Sequence, residues 1–120
     1  MAIIQVPADQ ATIQAGINAA VAGDTVLVAP GVYTESITID RSITLLSSAG
    51  PASTIIDPPA LDYYLVSIEA DNVVLSGFTI TNPDYVGTAD ASGILTYNAG
   101  RKSNIRITNC IIHDVGSMTR

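Results

Sequence analysis

Tyrosine and aspartate gather in two stretches of this 120-residue chain. Asp62, Tyr63 and Tyr64 lie in PPALDYY (58–64), Asp84, Tyr85 and Asp90 lie in NPDYVGTADASG (82–93), and Tyr97 closes the strand-like run that follows. A tyrosine ring packs against the apolar face of a sugar, and a carboxylate accepts hydrogen bonds from hydroxyls, so these seven residues form a candidate carbohydrate site. The same residue types are also ordinary in solvated loops. Asp62, Asp84 and Asp90 could supply oxygen ligands to Ca²⁺, although their spacing matches no calcium-binding loop. No other cofactor or metal is implied.

No catalytic residue is assigned. His113, the single histidine, precedes Asp114, but adjacent residues on a strand point to opposite faces, so the carboxylate is poorly placed to orient that imidazole. Asp9 with Asp24, and Asp40 with Glu69, fall at turns and helix ends, where capping accounts for them. Cys110 sits in the apolar run CIIH and reads as a small buried hydrophobe; as the lone cysteine it has no intramolecular disulfide partner.

The elements that would position these residues recur. SITI (36–39), LVSI (65–68) and ILTY (94–97) start 29 residues apart. A second set follows them in order, ITLL from Ile43, VVLS from Val73 and IRIT from Ile105, and then a third, TIID from Thr54, FTIT from Phe78 and CIIH from Cys110. Three strands per repeat, each without a partner until the next repeat is laid about 4.8 Å above it, describe a solenoid. Asn72 and Asn104 both precede a second-set strand, where asparagine suits a left-handed bend and can stack as a ladder.

Ahead of the repeats, IIQV from Ile3 reads as a strand ended by Pro7. Ile13, Ile17, Ala20 and Val21 then mark the apolar stripe of a short helix. Asp9 and Thr12 are its candidate N-caps, Gly23 is placed to end it, and Gln14 and Asn18 face away. Such a helix covers the first apolar edge of a solenoid. Thr25 to Val28 is expected to fill the third position of an incomplete starting coil. The expected domain is single, 1–120, with the strand and capping helix in 1–24 and the coils in 25–120.

Composition agrees with a β core: 48% of residues are hydrophobic, many of them β-branched, Trp is absent, and the mean hydropathy is +0.38. A net charge of -6, with five scattered Lys and Arg, argues against nucleic acid or an anionic membrane surface as partner. No apolar run is long enough for membrane insertion. MAIIQVPADQ lacks the basic-then-apolar layout of a signal peptide, which leaves the compartment open.

Taken together, ATIQAGINAAVAGDTVLVAPGVYTE, SITIDRSITLLSSAGPASTIID, NVVLSGFTITN and GILTYNAGRKSNIRITNCIIHD resemble the pectin-lyase-like right-handed parallel β-helix superfamily, in particular the amino-terminal portion of its carbohydrate-binding and sugar-hydrolase type repeat proteins. The resemblance implies an all-β, single-stranded, right-handed parallel β-helix of about three coils, three strands per coil, with an N-terminal amphipathic capping helix. It also implies surroundings that are often extracellular. It does not carry an activity, since function lies in sites placed on the fold. Pectate lyases of that superfamily use an arginine base near calcium-binding aspartates on first-position strands, whereas SITI, LVSI and ILTY hold neither Asp nor Arg. The glycosidase and esterase sets are not present as sets; Arg101 and Lys102, for example, are adjacent rather than spaced.

The expected function is a non-catalytic module that binds a polysaccharide or oligosaccharide or acts as an assembly scaffold. The last strands, IRIT and CIIH, would present apolar edges, so a homo-oligomer formed through that end, or continuation into a longer chain, is expected. The alternative is the amino-terminal part of a polysaccharide lyase or glycoside hydrolase whose catalytic coils follow.

Overall fold

A computed structural model of the chain describes residues 2–57, 64–82, 92–96 and 103–115. The elements are β1 (Ile3–Val6), α1 (Ile13–Ala19), β2 (Thr25–Val28), β3 (Gly31–Tyr33), β4 (Ile37–Ile39), β5 (Thr44–Ser47), β6 (Thr54–Ile56), β7 (Tyr64–Ile68), β8 (Val74–Ser76), β9 (Thr79–Asn82), β10 (Ser92–Thr96), β11 (Arg106–Thr108) and β12 (Ile111–Val115). Among the described residues, strands pair in parallel and are dealt cyclically onto three sheets. β4, β7 and β10 form the first sheet, β1, β2, β5, β8 and β11 the second, and β3, β6, β9 and β12 the third. The chain is thus mostly β with parallel strands, an arrangement compatible with a β-helix or solenoid.

The registers follow the apolar pattern of the sequence. In the second sheet Ile4, Val26, Leu45, Leu75 and Ile107 are in line; in the third Tyr33, Ile56, Ile80 and Ile112; in the first Ile37, Val66 and Ile94. Side chains alternate across a strand, and residues from all three sheets meet in a single core that includes Val26, Leu45, Leu75, Ile56, Ile80, Ile37 and Val66. Fully burying one such side chain contributes about 2 kcal/mol.

One positional expectation is corrected. Thr25–Val28 lies in the second sheet, between β1 and β5, and the third position is filled by Gly31–Tyr33. The Pro30–Gly31 signal marks the corner between them: Gly31 donates to Ser53 O, which carries the chain straight into β3.

α1 also differs from the expectation in ways that show its role. Thr12, not Asp9, is the N-cap, its Oγ1 accepting from Ala15 N at 3.0 Å. The helix ends at Ala20, whose N–H bonds Ile17 O, while Gly23 (φ 94) serves the next turn. Ile13 and Ile17 are buried in the core. Gln14 does not face away. Its amide accepts from Thr38 N at 2.8 Å and donates to Thr38 O at 3.1 Å, standing in for the neighbour that β4 lacks on that edge. Glu35 accepts from Ile13 N and Gln14 N, both at 3.0 Å, and Arg41 donates to Asn18 O and Ala20 O at the other helix end. Each partner suits the partial charge of the terminus it meets.

Asp9 and Asp24 also bond main-chain N–H groups. Asp9 accepts from Gln5 N at 2.9 Å, closing the outer edge of β1, and Asp24, 5% exposed, accepts from Ala2 N and Val21 N at 2.8 and 2.9 Å. At Gly77 (φ 88) a Cβ would run into Ser47 Oγ on the neighbouring strand, so the left-handed backbone favours glycine and the space leaves no room for a side chain.

Two outcomes follow from these contacts. Gly77→Ala should lose about 3 kcal/mol of stability, from the left-handed backbone and overpacking together, as read by urea denaturation; a loss no greater than at an exposed loop glycine would contradict the geometry. The bonds from Val21 N and then Ala2 N hold the Asp24 carboxyl below its ordinary range against the opposing effect of burial. With a folded pKa below the unfolded one, Asp24 stabilises the fold above the unfolded value of about 3.9, and that stability is lost as pH falls through the folded value. Asp24→Asn should therefore lower Tm at neutral pH and flatten its fall in acid; an acid limb identical to wild type would exclude this role.

Candidate functional site

Three connections cross from the third sheet to the first: 34–36, 57–63 and 83–91. They lengthen from three to seven to nine residues along the stack. Their ends are held in register, since Ile56 aligns with Ile80 where the second and third depart, and Tyr64 aligns with Ser92 where they return. The two Tyr/Asp stretches are therefore anchored at neighbouring strands on one corner. Tyr64 opens β7. Asp62, Tyr63, Asp84, Tyr85, Asp90 and Tyr97 lie outside the described residues, as does the Ca²⁺ reading of Asp62, Asp84 and Asp90.

The described part of this corner is its first connection. Tyr33 at the end of β3 donates its hydroxyl to Ala29 O at 2.7 Å, and burial, reinforced by the charge of Glu35, raises its phenol above the ordinary range. Glu35 is engaged with the helix terminus. Both groups are committed to structure.

The corner between first and second sheets is built on main-chain geometry. Asn72 (φ 58) and Asn104 (φ 57) are left-handed, and Asn104 Nδ2 donates to Asn72 Oδ1 at 2.8 Å, so the asparagine ladder read from the sequence is formed. Asn72 N donates to Ser103 O, Ser103 N to Asp71 Oδ1, one level down Ser42 Oγ to Asp71 O, and below that Gly23 N to Ser42 O. Asp40 bonds Arg41 and Glu69 accepts from Ser67 Oγ at 3.0 Å.

At the third corner Asn109 (φ 51) takes the place of Gly77, a left-handed position that the 32-residue offset between the two could have revealed. Cys110 is half-buried rather than buried: it packs on the core from the terminal level, with Sγ 3.3 Å from Thr108 O. His113 and Asp114 belong to β12, where the register shifts between His113 and Val115. Among the described residues, no group of three or more His, Cys, Asp or Glu is placed to hold a metal ion, and no helix is long and apolar enough to cross a membrane. Two hydroxyls, Thr54 Oγ1 and Thr81 Oγ1, are buried without a hydrogen-bond partner.

No family model matches the chain, and no solved structure does. A stretch of 58 residues, 48% of the chain, is 38% identical to part of a cell surface glycoprotein of Methanothermus fervidus. The matched stretch spans 9% of that protein's length.

The ladder yields a graded expectation. Asn72→Gly keeps the left-handed bend and loses the side-chain bond, costing about 1 kcal/mol; Asn72→Ala should cost about 1 kcal/mol more by forcing Cβ into that bend. Equal losses in urea denaturation would show that the backbone conformation is unimportant.

Proposed function

We propose that this chain is a right-handed parallel β-helix module of the pectin-lyase-like type, and that it binds carbohydrate at the corner where its third-position strands hand over to its first-position strands, without catalysing a reaction. The observation that carries this reading is the register of the two long connections: Ile56 with Ile80 and Tyr64 with Ser92 bring the ends of 57–63 and 83–91 onto adjacent strands. A rigid parallel stack suits a polymer ligand, because successive levels repeat at about 4.8 Å and present like positions in a row. The composition of the connections supplies the chemistry. Tyr63, Tyr64 and Tyr85 offer ring faces, and Asp62, Asp84 and Asp90 offer hydroxyl acceptors, with Tyr97 at the end of the run after β10.

The partial likeness to a cell surface glycoprotein supports a setting in which polysaccharide is at hand. The formal charge of -6 favours neutral sugars over strongly acidic ones, because carboxylate repels carboxylate unless a cation lies between.

Titration of neutral and acidic polysaccharides, followed by tyrosine fluorescence, should give a saturable change with a neutral glycan. Tyr85→Ala should weaken it about tenfold, equivalent to the loss of about 1.4 kcal/mol of stacking. No response to any polysaccharide on a broad array removes the sugar reading. Release of oligosaccharide products from the same polymers would overturn the non-catalytic reading and favour a lyase or hydrolase.

A further inference from the structure

The two hydroxyls that are buried without a hydrogen-bond partner, Thr54 Oγ1 and Thr81 Oγ1, differ in where they sit on the third sheet. Thr54 is fully buried and lies two residues before Ile56, so it shares the face of β6 that meets the core. It is enclosed by the fold. Thr81, 8% exposed, follows Ile80, whose side chain is in the core, and alternation turns it to the opposite, outer face of β9.

Thr79 shares that outer face and shows how the fold satisfies such a group: its Oγ1 donates to Pro51 O at 2.7 Å, in the turn that leads into β6. Among the described residues nothing does the same for Thr81. A hydroxyl taken out of water and left unpaired is a net cost to the folded chain, and that cost is removed when a bound molecule supplies the missing partner.

Thr81 also stands at the corner where the long connections begin, two residues before 83–91. One step along the parallel register from Ile56 and Ile80 sets Asp57 beside it. The neighbouring ladder runs on as far, since Asp57 N donates to Tyr33 O. Asp57 is half-buried, and alternation from the buried Ile56 puts it on the same outer face as Thr81. A hydroxyl and a carboxylate therefore occupy adjacent levels, about 4.8 Å apart along the stack.

We propose that Thr81 and Asp57 form a two-point contact for adjacent hydroxyls of one neutral sugar ring, Asp57 accepting from one and Thr81 Oγ1 bonding the other. The proposal rests on the carbohydrate reading of this corner and adds to it two residues that determine specificity. A tyrosine face holds a ring through apolar contact, which says little about where its hydroxyls point. A fixed hydroxyl beside a fixed carboxylate selects for hydroxyl positions, because a ring that presents none there leaves both groups unpaired.

Isothermal titration of the wild-type chain, Thr81→Val, Thr81→Ser and Asp57→Ala with three soluble neutral polymers, a β-glucan, a mannan and a xylan, decides it. For the polymer that the wild-type chain binds, Thr81→Val and Asp57→Ala should each be about tenfold weaker, as expected for one lost hydrogen bond, and Thr81→Ser should keep most of the affinity. Because the hydroxyl is unpaired in the free chain, Thr81→Val should melt at or above the wild-type temperature by circular dichroism, which separates a lost contact from a lost fold. Full affinity in Thr81→Val or in Asp57→Ala overturns the two-point contact and leaves the carbohydrate reading standing. A Thr81→Val chain that melts well below wild type would show that the hydroxyl is already bonded within the protein, and would overturn it too. Absence of binding by the wild-type chain to all three polymers removes the contact together with the reading on which it rests.

Discussion

Every described strand finds its hydrogen-bonding partner far away in the chain. Val26 pairs with Leu45 nineteen residues on, and Leu75 with Ile107 thirty-two residues on. Among the described residues no hairpin ties neighbours together, so a strand is held only when the strands before and after it in its sheet are in place. The turns, the inward apolar lines and the asparagine ladder all serve that one condition, which is to bring the chain back into register after each pass through the three sheets. A register error of one residue would turn Leu45 or Ile56 outward, and the loss of burial opposes it.

The same condition makes the first edge a problem, and the cap is its solution. α1 has seven residues, too few to be stable by helix propensity alone. It is held by groups from the segments that flank β4, Glu35 at its amino end and Arg41 at its carboxyl end, and by its own Ile13 and Ile17 in the core. In return Gln14 satisfies the exposed main chain of β4. Helix and stack stabilise each other, and Asp24, which ties Ala2 to Val21, joins the start of β1 to the end of α1.

Such a scaffold uses its surfaces unequally. The core lines and two of the corners are committed to packing and main-chain bonds. The corner between third and first sheets carries connections of growing length, and it is there that residue types suited to a ligand collect.

The repeat of apolar triplets, read along the chain, is enough to place nearly every strand, because alternation and spacing are local properties of the sequence and the core selects for them directly. The ladder of Asn72 and Asn104 was legible for the same reason, as a residue type recurring at one place in the repeat. What the sequence does not carry is partnership across distance. Gln14 looks like a solvent-facing helix residue until β4 is set beside it, and Glu35 looks like a loop carboxylate until the helix terminus arrives. Thr25–Val28 has the pattern of any buried strand, and only its neighbours β1 and β5 assign it to the second sheet. The candidate site divides in the same way: the residues Asp62, Tyr63, Tyr64, Asp84, Tyr85, Asp90 and Tyr97 are chosen by composition, while register decides only that 57–63 and 83–91 leave and rejoin neighbouring strands. Side-chain chemistry is written in the residue itself, but which groups meet depends on hydrogen bonds and burial that exist only once the levels are stacked.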